Sequence, residues 1–121
     1  MGKSRVLIVD DAIFMRTHLR DILTDGGFEV VGEAGTGEEA IVQYDKLKPD
    51  LVTLDIVMPG MGGIEALKRI REKHPESKIL IVSAIGQQQL VVEAINLGAA
   101  EFIVKPFQDE KVVSAANRVL K

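Results

Sequence analysis

The chain has 121 residues, a length that suits one domain, and 46% of them are hydrophobic, enough for a real core and too many for a disordered chain. Its 15 Lys and Arg against 18 Asp and Glu leave a formal charge of −3, which argues against a general nucleic-acid binder, because such proteins carry a basic patch. Cysteine is absent, which excludes disulfides and thiolate metal sites; no stretch suits a bilayer, and the amino-terminal apolar run turns acidic too soon for a signal peptide, so a cytoplasmic protein with no membrane contact is expected.

Arg5–Val9 is apolar and rich in β-branched residues, the pattern of a strand buried on both faces, and it ends in Asp10-Asp11. Residues 13–25 follow as a helix with an apolar stripe of Ile13, Met15, Leu19, Ile22 and Leu23, stopped by Gly26-Gly27. A more polar strand, expected nearer an edge, covers residues 28–33. The loop after it contains Gly35-Thr36-Gly37, too short for a phosphate cradle. Residues 38–47 read as a helix with Ala40, Ile41, Tyr44 and Leu47 inward and Lys48-Pro49 as its stop.

Leu51–Asp55 is the stretch around which the rest is organised. It is an apolar strand that ends abruptly in a carboxylate, and Pro59 and Gly60 turn the chain soon afterwards. A helix is expected from Ile64 to about residue 73, with Ile64, Leu67 and Ile70 on one face. Residues 78–82 form a fourth strand ending at Ser83, and 87–97 a fourth helix, stopped by Gly98. Residues 101–104 form a fifth strand ending at Lys105-Pro106, and a last helix opens at Gln108-Asp109 and runs to Leu120.

Five strands alternating with five helices predict a single α/β domain over residues 1–121: a doubly wound parallel (βα)5 sheet, flavodoxin-like, with strand order 2-1-3-4-5. In that topology the ends of strands one, three, four and five line one edge, where open α/β sheets bind ligands. Asp10, Asp11 and Asp55 then surround the crevice between strands one and three. Three anions packed together are costly unless a cation joins them, and hard oxygen donors favour Mg2+. Ser83 adds a hydroxyl donor and Lys105 a point charge. A cation, an ammonium and a hydroxyl around a strand-end Asp make a layout for phosphoryl transfer to Asp55. Each residue has a plainer use: Asp55 as a turn starter, Asp10 or Asp11 as a helix cap, Ser83 as a turn residue, Lys105 as a solvated lysine. It is the constellation that is specific. His18 and His74 lie away from this edge and read as surface or packing residues.

Val9-Asp10-Asp11, Leu54-Asp55 with Met58-Pro59, Ser83-Ala84 and Val104-Lys105-Pro106-Phe107 resemble the signature positions of response-regulator receiver domains, over almost the whole chain. The stretches from Asp10 to Arg16 and from Ser83 to Gln88 further resemble single-domain chemotaxis regulators of the CheY type. The resemblance implies that Asp55 accepts a phosphoryl group from a histidine kinase of the CheA type or from a small phosphodonor. It implies that Asp10, Asp11, Asp55 and the backbone carbonyl of Val57 hold Mg2+, and that Lys105 contacts the phosphoryl oxygens. Ser83 would move to hydrogen-bond the phosphoryl group, and Phe102 would turn inward behind it. The protein would be a monomeric switch rather than an enzyme, catalysing only its own phosphorylation and dephosphorylation. Its partners would include a flagellar motor switch protein or archaeal adaptor and a possible phosphatase. One departure stands out: where the family often has Asp, this chain has Gly62, which removes a local cap and is expected to loosen the turn.

With the chain ending one helix after Lys105-Pro106, output by binding is expected. On the fourth helix, from Leu90 to Leu97, the apolar arc spans about 220°, wider than the roughly 100° that a core face needs. The surplus is either a partner surface or the mark of a more deeply buried helix. Two further functions stay open. One is an intermediate of a phosphorelay. The other is a Mg2+-dependent phosphatase with an aspartyl nucleophile, though such enzymes carry a second Asp two residues on, where this chain has Val57.

Overall fold

The computed structural model describes residues 2–121. Five strands, β1 (Arg5–Val9), β2 (Glu29–Ala34), β3 (Leu51–Asp55), β4 (Ile79–Ala84) and β5 (Glu101–Lys105), form one sheet in the order β2-β1-β3-β4-β5. Every pairing is parallel, as the alternation with helices requires. The helices are α1 (Ile13–Asp25), α2 (Gly37–Leu47), α3 (Gly62–Lys73), α4 (Gln88–Asn96) and α5 (Asp109–Leu120).

Side-chain alternation along the strands divides the interior into two cores. Leu7, Val9, Val52, Leu54, Ile79 and Ile81 face α2, α3 and α4. Val6, Ile8, Leu51, Leu80, Val82 and Ile103 face α1 and α5. Continuing the period of two, Asp10, Asp55 and Lys105 fall on the α1/α5 face, beyond the last apolar layer. That parity is why residues far apart in sequence meet.

Element ends follow local chemistry. Thr36 caps α2, its hydroxyl accepting from the Glu39 N–H at 3.1 Å, while Lys48 ends that helix in a left-handed conformation (φ 45°). Both β4 and β5 run further than their apolar runs suggest, because Ser83 and Ala84 still pair with Val104 and Lys105. The apolar stripe of α1 needs correction at its start. Leu19, Ile22 and Leu23 are buried, but Ile13 is 72% exposed and its neighbour Phe14 is 73% exposed. The first turn of α1 lies at the carboxyl edge of the sheet, past the layer that buries the rest of the stripe. Gly60 and Gly62 both adopt positive φ (77° and 78°), which glycine accepts without strain; the cap position, Met61, makes no side-chain cap bond.

Candidate functional site

Asp10 is the most firmly held member of the carboxyl edge. It is 1% exposed, and both its main-chain groups and both carboxylate oxygens are engaged. Its N–H donates to the Ala34 carbonyl at 3.0 Å, and its own carbonyl accepts from Arg16 Nη1. Its Oδ1 accepts from the Ala12 N–H at 2.9 Å, and its Oδ2 from Lys105 Nζ at 3.0 Å. Capping and charge pairing thus coexist in one residue.

Asp55 ends β3 at 7% exposure, and its Oδ1 is 3.8 Å from Lys105 Nζ. Asp11 is exposed on the turn between β1 and α1. Asp10, Asp11 and Asp55 each present a carboxylate oxygen, and these lie within 4.8 Å of one another. Burial, then the charges of Asp10 and Asp11, push the Asp55 carboxyl from its ordinary 3.8 to about 6; Lys105 and the Val57 backbone N–H pull the other way and do not win. Three carboxylates against one ammonium leave an excess of negative charge in a half-enclosed place. A hard divalent cation such as Mg2+ fits it, since the donors are oxygens with no His or Cys among them.

Among the other expected residues, Lys105 contacts this group. Lys105, half-buried, reaches Asp10 more closely than Asp55, and its peptide bond to Pro106 is cis. Ser83 is buried, and its hydroxyl donates weakly to the Ile103 carbonyl at 3.5 Å, toward β5. Val57 is exposed in the turn after β3, and Phe102 is partly exposed on β5. Neither histidine enters the site. His18 stacks on Phe107 with ring centroids 5.9 Å apart, and His74 tilts against Tyr44 and meets Asp45 at 2.7 Å.

Two contributors were not legible as such in the sequence. Gly63 lies directly under Asp55: a Cβ there would overlap the Asp55 carbonyl and come 2.8 Å from Ile56 Cα, and its N–H donates to the Ile56 carbonyl at 2.9 Å. Only a glycine lets α3 start so close to the end of β3. The Gly62-Gly63 pair was the available signal. Arg16, six residues after Asp10, gave none.

Behind Ser83 an apolar groove of roughly 460 Å³ runs between α4 and β5, lined among others by Ile85, Val92, Ile95, Phe102 and Val104. Of the nine residues of α4 only Val91 and Ala94 are buried, and Val92 is 59% exposed. The wide apolar arc of this helix is therefore surface, not deeper burial.

The profile of the response regulator receiver domain family matches residues 6–117. The chain is 59% identical to the chemotaxis protein CheY of Thermotoga maritima over 121 residues, covering 100% of both chains. It is 54% identical to that of Listeria monocytogenes over 117 residues, covering 97% of this chain and 98% of the relative. In structure it is similar to CheY in the CheX–CheY–BeF3–Mg2+ complex of Borrelia burgdorferi, with a TM-score of 0.94, 39% identity, and coverage of 99% of this chain and 91% of the other.

Proposed function

The chain belongs to the response regulator receiver domain family, and we propose that its single domain, residues 1–121, is a phosphorylation-switched binding module of the chemotaxis type. The observation that carries this reading is the gathering of Asp10, Asp11 and Asp55 within 4.8 Å, with Lys105 reaching in from β5.

Asp55 is the phosphoacceptor. At neutral pH a carboxyl group with a pKa of about 6 is mostly ionised, so its oxygen is available as a nucleophile. An Asp55 oxygen forms the new O–P bond as the donor's N–P bond (from a phosphohistidine) or O–P bond (from an acyl phosphate) breaks and the donor group leaves. A bound Mg2+ would offset the charge that the carboxylates and the phosphoryl oxygens bring together. Asp10, Asp11, Asp55 and the Val57 carbonyl are the residues that would hold it. Lys105 pairs with a phosphoryl oxygen, and Ser83 turns from the Ile103 carbonyl to donate to another. That rotation frees space toward the groove, which Phe102 fills, so the surface between α4 and β5 changes.

A histidine kinase of the CheA type would supply the phosphoryl group. A motor-switch or adaptor protein would meet the altered groove, and a phosphatase would reset it. The chain processes no external substrate. The Borrelia burgdorferi relative, in complex with CheX, BeF3 and Mg2+, supports both Mg2+ binding and engagement of a protein partner. The exposed Ile13 and Phe14 beside the site favour a second reading, a relay intermediate, because they offer a phosphotransfer protein an apolar landing place.

The test is incubation with Mg2+ and acetyl phosphate, followed by mass spectrometry. One hydroxylamine-labile phosphoryl group is expected on the unaltered chain and none on Asp55→Asn. A stable phosphoserine at Ser83 as the main product would overturn the assignment, and repeated turnover of a phosphate ester would favour a phosphatase.

A further inference from the structure

We propose that Arg16 is a positioning residue for the acidic site, holding the turn between β1 and α1 so that the Asp10 and Asp11 carboxylates stand where one cation can use both. The inference rests on the metal-dependent function proposed above and deepens it.

Within the turn one side-chain bond acts, the Ala12 N–H donating to Asp10 Oδ1 at 2.9 Å. The turn passes through Asp10, Asp11 and Ala12, and the cap position of α1 is Ala12, which has no side chain to bind the helix start. The Met15 and Arg16 N–H groups both return to the Ala12 carbonyl at 3.1 Å, which anchors the helix to Ala12 but not to the sheet. The link to the sheet falls on Asp10 and on whatever grips its carbonyl.

Arg16 is that grip. Its Nη1 donates to the Asp10 carbonyl while its Nε donates to Glu33 Oε1 at 2.9 Å, and its side chain is only 17% exposed between α1 and β2. Two donors in a fixed planar fork, aimed at two different elements, are what arginine offers and lysine does not. Burial raises the pKa of Glu33, but hydrogen bonds from Arg20 and Arg16 outweigh it and hold the carboxyl below its usual range, so the anchor stays ionised. Gly35 leaves the room: a Cβ there would come within 3.3 Å of Arg16 Nη1. A partner that orients a metal-binding segment from behind affects affinity without touching the metal.

Arg20 is a built-in control. One turn further along α1, it binds the same Glu33 carboxylate, with Nε 2.8 Å from Oε2, and it is 43% exposed. No bond from it to Asp10 is found. A merely stabilising ion-pair cluster would make the two arginines interchangeable; a tether would not.

The experiment compares the unaltered chain with Arg16→Gln, Arg16→Lys and Arg20→Gln. Mg2+ is titrated by amide chemical shifts, and amide exchange at residues 10–12 is followed without metal. Arg16→Gln should weaken Mg2+ binding by about tenfold and speed the metal-free exchange. Arg16→Lys should recover part of both. Arg20→Gln should keep the affinity within about twofold even where it melts earlier. Equal loss in Arg16→Gln and Arg20→Gln, or unchanged affinity and exchange in Arg16→Gln, would overturn the proposal. Failure of the unaltered chain to bind Mg2+ would instead remove the metal-dependent function, and the metal-free exchange would still decide whether Arg16 holds the turn.

Discussion

The acidic pocket and the groove between α4 and β5 are unfinished in opposite ways. The pocket is firmly built and electrostatically unsatisfied. Asp10 is bonded through every polar group it has, Gly63 backs the end of β3, and three carboxylates face one lysine. The groove is electrostatically quiet and poorly covered, with α4 burying two of its nine residues and Val92, Ile95 and Phe102 left partly in water. In the proposed function a cation and a phosphoryl group complete the pocket, and apolar surface from a partner completes the groove. Ser83 lines the groove, buried near the end of β4 and next in sequence to Val82, which pairs with Asp55 in the sheet. A switch of the proposed kind would keep its chemistry on the firm side and its output on the open one, with Ser83 as the coupling side chain.

The contrast is most exposed to test at Gly63. Gly63→Ala forces a Cβ against the backbone of Asp55 and Ile56, where no side chain can move aside. A loss of about 3 kcal/mol, or roughly 10 °C in Tm, is expected by thermal melting. An unchanged melting temperature would mean that the floor of the pocket is not rigid.

Next in size is the electrostatic load. The Asp55 carboxyl titrates at about 6 in the folded chain against 3.8 in the unfolded one, so between those values the folded chain holds a proton that the unfolded chain releases. Its contribution to stability is therefore complete below pH 3.8 and is lost as the pH rises through about 6. Without metal, Asp55→Asn should be more stable at pH 7 by on the order of 2 kcal/mol and should show a flatter profile across that window. Saturating Mg2+ should shrink the difference. Denaturant melts across pH would check this, and parallel curves for the two chains would show that the pocket carries no such load.

Ser83→Ala should cost about 1 kcal/mol or less, because its hydroxyl makes only a long bond to Ile103. The variant should still accept a phosphoryl group. Its amide shifts along α4 should respond little to beryllofluoride, and a full response would break the proposed route from pocket to groove. Smallest of all is Val92→Ser, on the open wall of the groove: its stability should stay within about 0.5 kcal/mol of the unaltered chain. A larger loss on chemical denaturation would mean that the groove is core, not surface.

The sequence by itself carried the element order, the parallel sheet and the residue types at its carboxyl edge. The physical reason is local. Apolar runs of strand length alternating with helical stripes have few packings open to them, and right-handed crossovers leave only a handful of topologies. A strand that stops at a charge shows where its buried face ends, which is how Asp10, Asp55, Ser83 and Lys105 stood out. What tertiary structure decided depends on neighbours distant in the chain. Ile13 belongs to the stripe of α1 by spacing, yet faces water because α1 begins beyond the apolar layer. The breadth of the apolar arc on α4 could not say whether anything covered it until β5 was in place. Lys105 is drawn closer to Asp10 than to Asp55, Gly63 is indispensable only because β3 ends against it, and Arg16 matters only once β1 and β2 lie side by side under α1. Periodicity reports what one segment wants to bury; which atoms then stand within hydrogen-bond reach is settled only when the segments meet.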